Sequence, residues 1–472
     1  MSSFSKWFVC IAVIGLVSPY SLLGDEIDDF VQTERQRQKV PGIAVLVVED
    51  GKPTKMRGYG LANVEHKVPV KGETIFQSGS IGKQFTAAGI LLLAEDGKLD
   101  IDDPLKKHFA EAPESWGNIT VRHLLNHTSG LKDYGHEVDF RKDYTEDELL
   151  EVMMKQPFDF EPGDRWSYSN SGYVVLGILI SKLTGEHWGA YLQERVLKPA
   201  GMETARVISE SDIVLNRAAG YTRFNGKLQN QEWVAPTWLS TGDGALYFSV
   251  KDLFAWDKAL RTRKIFNAET YIAWWTPVRL NDGSTYPYGL GWSLQEQRGQ
   301  PIIGHGGAWQ GFRTSIARYE KQDLTIAVLA NSANAQPDAI VKGIAGLVNK
   351  QLELPDPATP GVDPDTDRTL QIKALLEAWS ASQSHALMTS KLAKVDAENH
   401  RESFGRNRLA DTLKNTKDFY WLTNDVVDGA GIQRRGEVIQ RISYFGLETE
   451  KETLGFRVYF NAEEQVADFI RY

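Results

Sequence analysis

The chain has 472 residues, of which 42% are apolar and 24% charged, and its formal net charge is −9. A chain of this length is expected to form two domains, and its composition excludes a disordered or coiled-coil protein. Lysine and arginine are spread along the sequence rather than grouped into a basic stripe, so nucleic acid is not an expected partner.

The first 24 residues have the pattern of a secretory signal peptide. Lys6 supplies the positive charge, an uncharged apolar run follows at 7–17, and small residues come next. The run is about 11 residues long, whereas a membrane-spanning helix needs about 20, so we favour a cleaved signal over an uncleaved anchor. No later apolar run is long enough to span a membrane, which predicts a periplasmic or secreted protein without a transmembrane segment.

The single cysteine, Cys10, lies inside this signal. A mature chain without cysteine excludes a disulfide framework, a cysteine–zinc site and a cysteine nucleophile.

Strand patterns occur near both ends of the next 330 or so residues, with helical patterns between them. The predicted elements are a helix over 25–39, strands over 43–48 and 54–60, helices over 86–95 and 174–183, strands over 314–319 and 324–329, and a helix over 338–352. This order predicts an α+β domain in which both ends of the segment build one antiparallel sheet and the middle is helical.

Four prolines then fall close together among Asp, Thr and Gly. Such a stretch predicts an extended linker with too few apolar residues to pack. Beyond it, 369–392 has a helical pattern and 437–471 a strand pattern, which together predict a small α+β domain. The predicted division of the chain is a signal peptide (1–24), a large domain (25–352), a linker (353–367) and a C-terminal accessory domain (368–472).

Ser80 and Lys83 are three residues apart, which places both side chains on one face of a helix. A serine at a helix start lies beside free backbone N–H groups that can hold an oxyanion, and a lysine one turn later can act on the serine proton. The alternative is an N-cap serine with a solvated lysine, and this tetrad alone favours that alternative.

Tyr168 and Asn170 lie in Tyr168-Ser169-Asn170, just before a helix. A tyrosine beside a lysine cation can act as a general base, and an asparagine offers a donor and an acceptor to a substrate amide. The same residues are also typical of a turn and an N-cap.

A third motif, Gly304-His305-Gly306-Gly307, opens the late strand region. Glycines here would let the backbone approach a ligand, so that the N–H of Ala308 becomes an oxyanion donor together with the N–H of Ser80. The alternative is a tight turn with an exposed histidine.

Together the three motifs follow the order of the Ser-x-x-Lys, Ser-Asp-Asn and Lys-Thr-Gly set of β-lactamases and penicillin-binding proteins. With Tyr-Ser-Asn and His-Gly-Gly as its second and third motifs, the chain resembles the class C β-lactamase type of that family, which includes D-alanyl-D-alanine carboxypeptidases, esterases and aminopeptidases. The resemblance covers about residues 26–350. Further matching segments are Val40-Pro41-Gly42, Phe76-Gln77-Ser78-Gly79-Ser80, 121–131, Glu161-Pro162-Gly163, 197–202 and 288–292.

The resemblance implies the β-lactamase/transpeptidase-like fold and a serine acyl-hydrolase that needs no metal or organic cofactor. Ser80 would be the nucleophile, with Lys83 and Tyr168 as its acid–base partners. The residues expected to bind the substrate are Asn170, His305, Gly307 and Ala308. The substrate would be a D-amino acid peptide, an ester or a β-lactam.

Two other functions are compatible with the sequence. The first is a non-catalytic or slowly deacylating sensor of peptidoglycan fragments or β-lactams, and the second is a scaffolding role of the C-terminal domain. The oligomeric state is left open.

The third motif departs from the family pattern. His305 stands where the lysine of Lys-Thr-Gly would be, and Gly306 replaces the threonine. In class C enzymes that lysine and threonine help to hold the carboxylate of the substrate, so their loss argues against efficient β-lactam turnover and favours a peptidase or an esterase. Arg313 could supply the missing cation, although an ordinary role in its strand is the simpler interpretation.

Three further patterns are interpreted as structural. His123 and His127 are four residues apart, as metal ligands on a helix can be, but no third ligand is evident and the metalloprotease glutamate is absent. No Gly-x-Ser-x-Gly elbow or phosphate-binding loop occurs. Asp243, between two glycines, is interpreted as part of a turn.

Overall fold

The computed structural model describes residues 20–135, 138–393, 400–427 and 432–472. The strands are β1 (Gly42–Glu49), β2 (Lys52–Asn63), β3 (Val68–Pro69), β4 (Phe76–Gln77), β5 (Arg206–Val207), β6 (Tyr221–Phe224), β7 (Lys227–Asn230), β8 (Leu246–Phe248), β9 (Val278–Arg279), β10 (Thr285–Tyr286), β11 (Ser293–Gln297), β12 (Gln300–Trp309), β13 (Phe312–Tyr319), β14 (Leu324–Ala330), β15 (Thr416–Val426), β16 (Gln433–Arg434), β17 (Glu437–Val438), β18 (Arg441–Thr449), β19 (Thr453–Phe460) and β20 (Val466–Arg471).

The α-helices are α1 (Tyr20–Arg37), α2 (Lys83–Glu95), α3 (Leu105–His108), α4 (Val121–Leu125), α5 (Glu146–Met154), α6 (Asn170–Thr184), α7 (Trp188–Leu192), α8 (Lys198–Ala200), α9 (Val250–Arg261), α10 (Ala268–Trp274), α11 (Pro337–Val348), α12 (Thr366–Ser380), α13 (Ser390–Ala393) and α14 (His400–Lys414). None of the helices in the described segments has both the length and the apolar character needed to span a membrane. The predicted signal peptide lies outside the described residues up to residue 19, and residues 20–24 already belong to α1.

The large domain is built on a seven-stranded antiparallel sheet with the order β11-β12-β13-β14-β1-β2-β3. Its centre joins the two ends of the domain, since Val45 of β1 pairs with Val328 of β14 and, on the other side, with Arg57 of β2. The predicted sheet of both chain ends is therefore confirmed, and so is the helical middle between them.

Helices cover both faces of this sheet, which explains why β1 is an uninterrupted apolar run. Val45 and Val47 point into the core formed with α1 and α11, whereas Leu46 and Val48 point into the core of the helical middle. Successive side chains of a strand alternate between faces, so each face of β1 needs its own apolar set.

One edge of the sheet is partly open, and this edge carries the third motif. The pairing of β11 with β12 ends at Ser293 and Gly304. Beyond it, residues 305–309 of β12 pair with β13 alone within the described sheet.

The C-terminal domain has a four-stranded antiparallel sheet, β15-β18-β19-β20, with α12 against it. The predicted helix over 369–392 is wrong in its second half, because α12 ends at Ser380 and Ser382 takes a positive φ of 59°. Only the short helix α13 follows before residue 394.

The proline-rich segment between the two domains has no helix or strand from Glu353 to Asp365, but it does not stand free. The hydroxyls of Tyr420 and Tyr472 donate hydrogen bonds to the carbonyls of Pro357 (2.8 Å) and Pro355 (3.1 Å). Leu354 also packs against the apolar cluster that contains Ile442 and Tyr444. The expectation that this segment would not pack is therefore wrong. A domain boundary at 353–367 stays a prediction.

A buried ion pair joins β11 of the large domain to the C-terminal sheet. The Glu296 carboxylate accepts hydrogen bonds from the Arg457 guanidinium (2.5 Å) and the Tyr459 hydroxyl (2.6 Å). The Glu296 side chain is 1% exposed and that of Arg457 is 4% exposed. The C-terminal domain is thus fixed to the strand next to β12.

Candidate active site

Ser80 lies in a 3₁₀ turn, Gly79–Gly82, that leads directly into α2. The helix predicted from Thr86 accordingly begins at Lys83, one turn earlier. The Lys83 Nζ lies 3.2 Å from the Ser80 Oγ, and Lys83 is fully buried. The structure therefore brings the predicted pair together, and the alternative of a solvated lysine is wrong.

The Lys83 ammonium has two further acceptors, both neutral oxygens. It donates to the Asn170 Oδ1 at 2.8 Å and to the backbone carbonyl of Asp243 at 2.5 Å. Asp243 lies in the expected turn, and the pairing of β4 with β8 brings that turn beside the Ser80 turn. Since an ammonium has three donors, two fixed acceptors leave the third directed at the Ser80 hydroxyl.

Tyr168 lies in the loop before α6 and packs against the same lysine. The Lys83 Nζ is 4.9 Å from the centroid of the Tyr168 ring and 5.4 Å from that of Tyr173. A cation this close to an aromatic face is held by the ring electrons. Tyr168 and Ser80 also line one cavity, so the first two predicted motifs share a site.

Asp133 orients Asn170, and sequence reasoning missed it. Its Oδ1 accepts hydrogen bonds from the backbone N–H groups of Asn170 (2.7 Å) and Ser171 (3.1 Å), and its Oδ2 from the Asn170 side-chain amide (3.1 Å). The amide nitrogen is thereby turned to Asp133 and the amide oxygen to Lys83. Burial raises the pKa of the Asp133 carboxyl, although the two backbone N–H groups act in the opposite direction.

The third motif lies against the Ser80 turn because Gly307 has no side chain. A Cβ at this position would overlap the Ser78 carbonyl and the Thr314 hydroxyl, and would lie 3.2 Å from the Ser80 nitrogen. The Thr314 Oγ1 donates a hydrogen bond of 2.6 Å to the same Ser78 carbonyl. Gly307 thus permits the close approach that an oxyanion site between the N–H groups of Ser80 and Ala308 requires.

His305 is 6% exposed and ends a chain of hydrogen bonds, so the alternative of an exposed histidine is wrong. The Ser169 N–H donates to the His127 Nδ1 (3.2 Å), the His127 Nε2 lies 3.1 Å from the Tyr288 hydroxyl, and that hydroxyl lies 3.0 Å from the His305 Nε2. The His305 Nδ1 is 2.6 Å from the Gly306 carbonyl.

One assignment of protons satisfies every contact in this chain. Because the His127 Nδ1 accepts, its Nε2 carries the proton and donates to Tyr288, whose hydroxyl then donates to the His305 Nε2. The His305 Nδ1 must carry a proton to bond the Gly306 carbonyl. In this assignment both rings are neutral, and the position that holds a lysine in the family pattern carries no charge here.

Burial lowers the pKa of His305 from 6.5 to about 4. Between these pH values the unfolded chain binds a proton that the folded chain does not, so the free energy of unfolding should fall as pH falls from 6.5 toward 4. Urea unfolding measured at pH 7.5 and at pH 5 should show that the wild type loses more free energy of unfolding between these pH values than His305→Gln does, because glutamine does not titrate. Equal losses in the two proteins would contradict this prediction.

The two histidines considered as metal ligands have separate partners. The His123 Nδ1 accepts the Thr120 N–H in a helix cap (3.2 Å), while His127 belongs to the hydrogen-bond chain above. This supports the structural interpretation of the pair.

The motifs surround a cavity of about 730 Å³, a size suited to a small molecule or a short peptide. The predicted site residues on its wall are Ser80, Tyr168, Asn170, His305, Gly307 and Ala308. Lys83 lies buried behind Ser80. The charged side chains on the wall are Asp133, Asp243, Arg313 and Asp338.

Comparison with known proteins places the chain in a family. The family model described as Beta-lactamase matches residues 27–348. The chain belongs to the Beta-lactamase family.

Several similar proteins have names that state an activity or a ligand. The chain is 32% identical to penicillin-binding protein 4* of Bacillus subtilis over 61% of this chain and 67% of that protein, and 26% identical to a D-aminopeptidase of Gluconobacter oxydans over 78% and 75%. Among solved structures, a D-amino acid amidase from Ochrobactrum anthropi matches with a TM-score of 0.60 and 25% identity, over 70% of this chain and 97% of that chain.

The match to an octameric penicillin-binding protein homologue from Pyrococcus abyssi extends over the C-terminal domain. It covers 95% of this chain and 98% of that chain, with a TM-score of 0.62 and 23% identity, which shows a shared fold.

Proposed function

We propose that this protein is a serine acyl-hydrolase that cleaves D-amino acid amides and short D-peptides through an acyl-enzyme on Ser80. The contact of 3.2 Å between the Lys83 Nζ and the Ser80 Oγ, at the wall of a cavity, carries the proposal. The relatives named D-aminopeptidase and D-amino acid amidase support the substrate class.

In the proposed mechanism the Ser80 oxygen attacks the carbonyl carbon, and the serine proton passes to Tyr168 or to the neutral amine form of Lys83. The oxyanion is held by the backbone N–H groups of Ser80 and Ala308. When the C–N bond breaks, the departing amine receives a proton from the same pair. A water molecule then gives up a proton to that pair and attacks the acyl carbon. The Ser80 oxygen takes a proton back from the pair as its bond to the acyl carbon breaks, which releases the acid.

The neutral state of His305 favours an amide or peptide substrate over a β-lactam. A β-lactam carries a carboxylate beside its ring, and the family lysine that helps to hold it is replaced here by an uncharged ring. Asn170 keeps its amide oxygen on Lys83, and Asp133 holds the amide nitrogen, so its orientation beside the acyl part of a substrate is fixed.

A panel of substrates tests the proposed function. D-alanine p-nitroanilide, its L-enantiomer, p-nitrophenyl acetate and a chromogenic cephalosporin would be compared at equal enzyme concentration. We expect the D-anilide to be cleaved with the highest kcat/KM. A faster reaction of the L-anilide or the cephalosporin would refute the substrate class, and a burst of one product per enzyme without turnover would support the sensor instead.

Lys83→Ala and Tyr168→Phe should each lower kcat by on the order of 10²–10⁴, the usual effect of losing acid–base assistance. Tyr173→Phe is the matched control, because this tyrosine also packs against Lys83 but donates its hydroxyl proton to the Leu125 carbonyl (2.7 Å). Steady-state rates of D-anilide hydrolysis provide the measurement. An equal loss in all three variants would mean that packing around Lys83, rather than proton transfer, is being measured.

The pattern of residues 1–24 supports export as part of the same proposal, so the enzyme would act in the periplasm or the medium.

A further inference from the structure

The β9–β10 hairpin lies behind one wall of the candidate site. The Tyr286 ring of β10 stacks on the Trp166 ring, with 4.1 Å between the ring centroids and 10° between the ring planes. Trp166 lines the cavity, and Tyr168, the proposed acid–base residue, follows it two positions later. The hairpin therefore supports the loop that carries Tyr168.

Asn281, in the turn of the same hairpin, fastens the start of that loop. Its backbone N–H donates to the Gly163 carbonyl (2.9 Å), and its side-chain amide donates to the Pro162 carbonyl (3.0 Å) and to the Asp164 Oδ1 (2.8 Å). The position of the loop 162–168 therefore depends on the position of the hairpin.

Strands β9 and β10 pair only with each other within the part of the chain that the structure describes. A two-stranded hairpin of this kind is only marginally stable in water, so its neighbours decide its position. The neighbour at its turn is the C-terminal domain. The Thr285 hydroxyl donates a hydrogen bond to the Gln433 Oε1 of β16, and the Lys391 Nζ lies 3.7 Å from the Asp282 carboxylate.

Gly436, in the turn between β16 and β17, brings the two hairpins into direct contact. A Cβ at Gly436 would lie 2.5 Å from the Ser284 Cβ, which is too close for two carbon atoms in contact. Arg435 and Gly436 take positive φ values of 47° and 74°, as is typical of a type I′ turn. The Arg435 Nε donates to the Asp468 Oδ1 of β20 (3.3 Å), so this turn is fixed to the C-terminal sheet.

We propose that the turn of the β16–β17 hairpin is a positioning element of the candidate active site. It holds the β9–β10 hairpin against the loop 162–168, and this contact sets the position of the Tyr168 hydroxyl relative to Ser80 and Lys83. The inference rests on the proposed function, in which Tyr168 takes part in proton transfer. None of the described residues of the C-terminal domain lines the cavity, so that domain would act on catalysis through these contacts alone.

Gly436→Ala tests this role, because its methyl group would push Ser284 and the β9–β10 hairpin away. A displacement of about 1 Å can cost on the order of 10²-fold in rate, so we expect kcat for D-alanine p-nitroanilide to fall by about 10- to 100-fold. The rate with p-nitrophenyl acetate should fall less, because p-nitrophenolate leaves without a proton whereas the anilide nitrogen must be protonated. A loss of folded enzyme would instead lower both rates equally.

Gly226→Ala is the matched control. Asn225 and Gly226 have similar φ values of 49° and 77°, and a Cβ at Gly226 would have no atom within 4 Å beyond its chain neighbours. This variant carries the same backbone strain and should keep both rates.

Adding Ser284→Gly to Gly436→Ala removes the atom that the new methyl group meets. The double variant should recover most of the lost anilide activity, with Ser284→Gly alone as its reference. An unchanged ratio of the anilide and ester rates in Gly436→Ala, or a double variant as slow as Gly436→Ala, would overturn the proposal.

A crystal structure of Gly436→Ala separates this inference from the proposed function. If Tyr168 is displaced but the wild type prefers another substrate of the panel, the proposed substrate class alone fails. If the wild type cleaves the D-anilide as proposed and Tyr168 keeps its position in the variant, the positioning role alone fails.

Discussion

Replacing Ser80 by alanine is expected to lower kcat by on the order of 10⁴-fold or more and to remove the acyl-enzyme entirely. Lys83 directs a donor at this hydroxyl, and β12 lies against the backbone nitrogen of the same residue. The proposed nucleophile and one proposed oxyanion donor therefore belong to one residue, and every other proposed role is arranged around it.

The measurement is labelling with a fluorophosphonate, followed by fragmentation of the tryptic peptide 72–83. This peptide also contains Ser78, which provides a matched control. The Ser78 hydroxyl donates to the Gly244 carbonyl (2.6 Å) and accepts the Leu246 N–H (3.2 Å), so it is held by the structure. Ser78→Ala should still be labelled on Ser80, and label on any other residue of the wild type would overturn the catalytic assignment.

Glu296→Gln should lower the free energy of unfolding by about 3–5 kcal/mol, the usual cost of removing one partner of a buried ion pair. The Arg457 guanidinium would keep its charge in a site that excludes water, and the Arg434 guanidinium lies 3.9 Å from the same carboxylate. Urea unfolding followed by tryptophan fluorescence measures the change. The control is Glu464→Gln, because the Glu464 side chain is 56% exposed and its ion pair with Arg441 should contribute about 0–1 kcal/mol.

The contribution of Glu296 to the free energy of unfolding should also decrease at acidic pH. Burial alone would raise the pKa of this carboxyl, but Arg457 and Arg434 outweigh burial and hold it below the ordinary value of 4.5. The stabilisation is present above that value and is lost as pH falls through the lowered pKa. The difference in the free energy of unfolding between the wild type and Glu296→Gln should therefore become smaller at acidic pH. A difference that becomes larger would show that Glu296 and Arg457 do not form an ion pair.

The elements that sequence reasoning predicts well are those whose pattern is local. The run Ile43–Val48 can only be a strand covered on both faces, and Gly185 ends α6 with the left-handed φ of 75° that its position requires. Ser80 and Lys83 are found because their spacing within one helix creates their contact.

The contacts of the candidate site that the sequence does not predict depend on tertiary structure. Asp133 and Asn170 are far apart in sequence, and no pattern marks a carboxylate that binds the start of a distant helix. The same holds for the contact of the Tyr288 hydroxyl with the His305 Nε2. Strand β15 escaped detection because it alternates weakly and most of its residues are partly or fully exposed.

The pairing of β1 with β14 has a consequence for how the chain folds. Val45 and Val328 are neighbours in the sheet but are separated by almost the whole domain in sequence. Closing a loop of that length costs about 5 kcal/mol of free energy through lost chain entropy, before the contacts between the two strands can offset this cost. Topology of this kind slows folding, and until residues 324–330 emerge from the ribosome β1 lacks its central neighbour. An apolar strand that is unpaired during synthesis promotes aggregation. Export or chaperone binding during synthesis would reduce this aggregation.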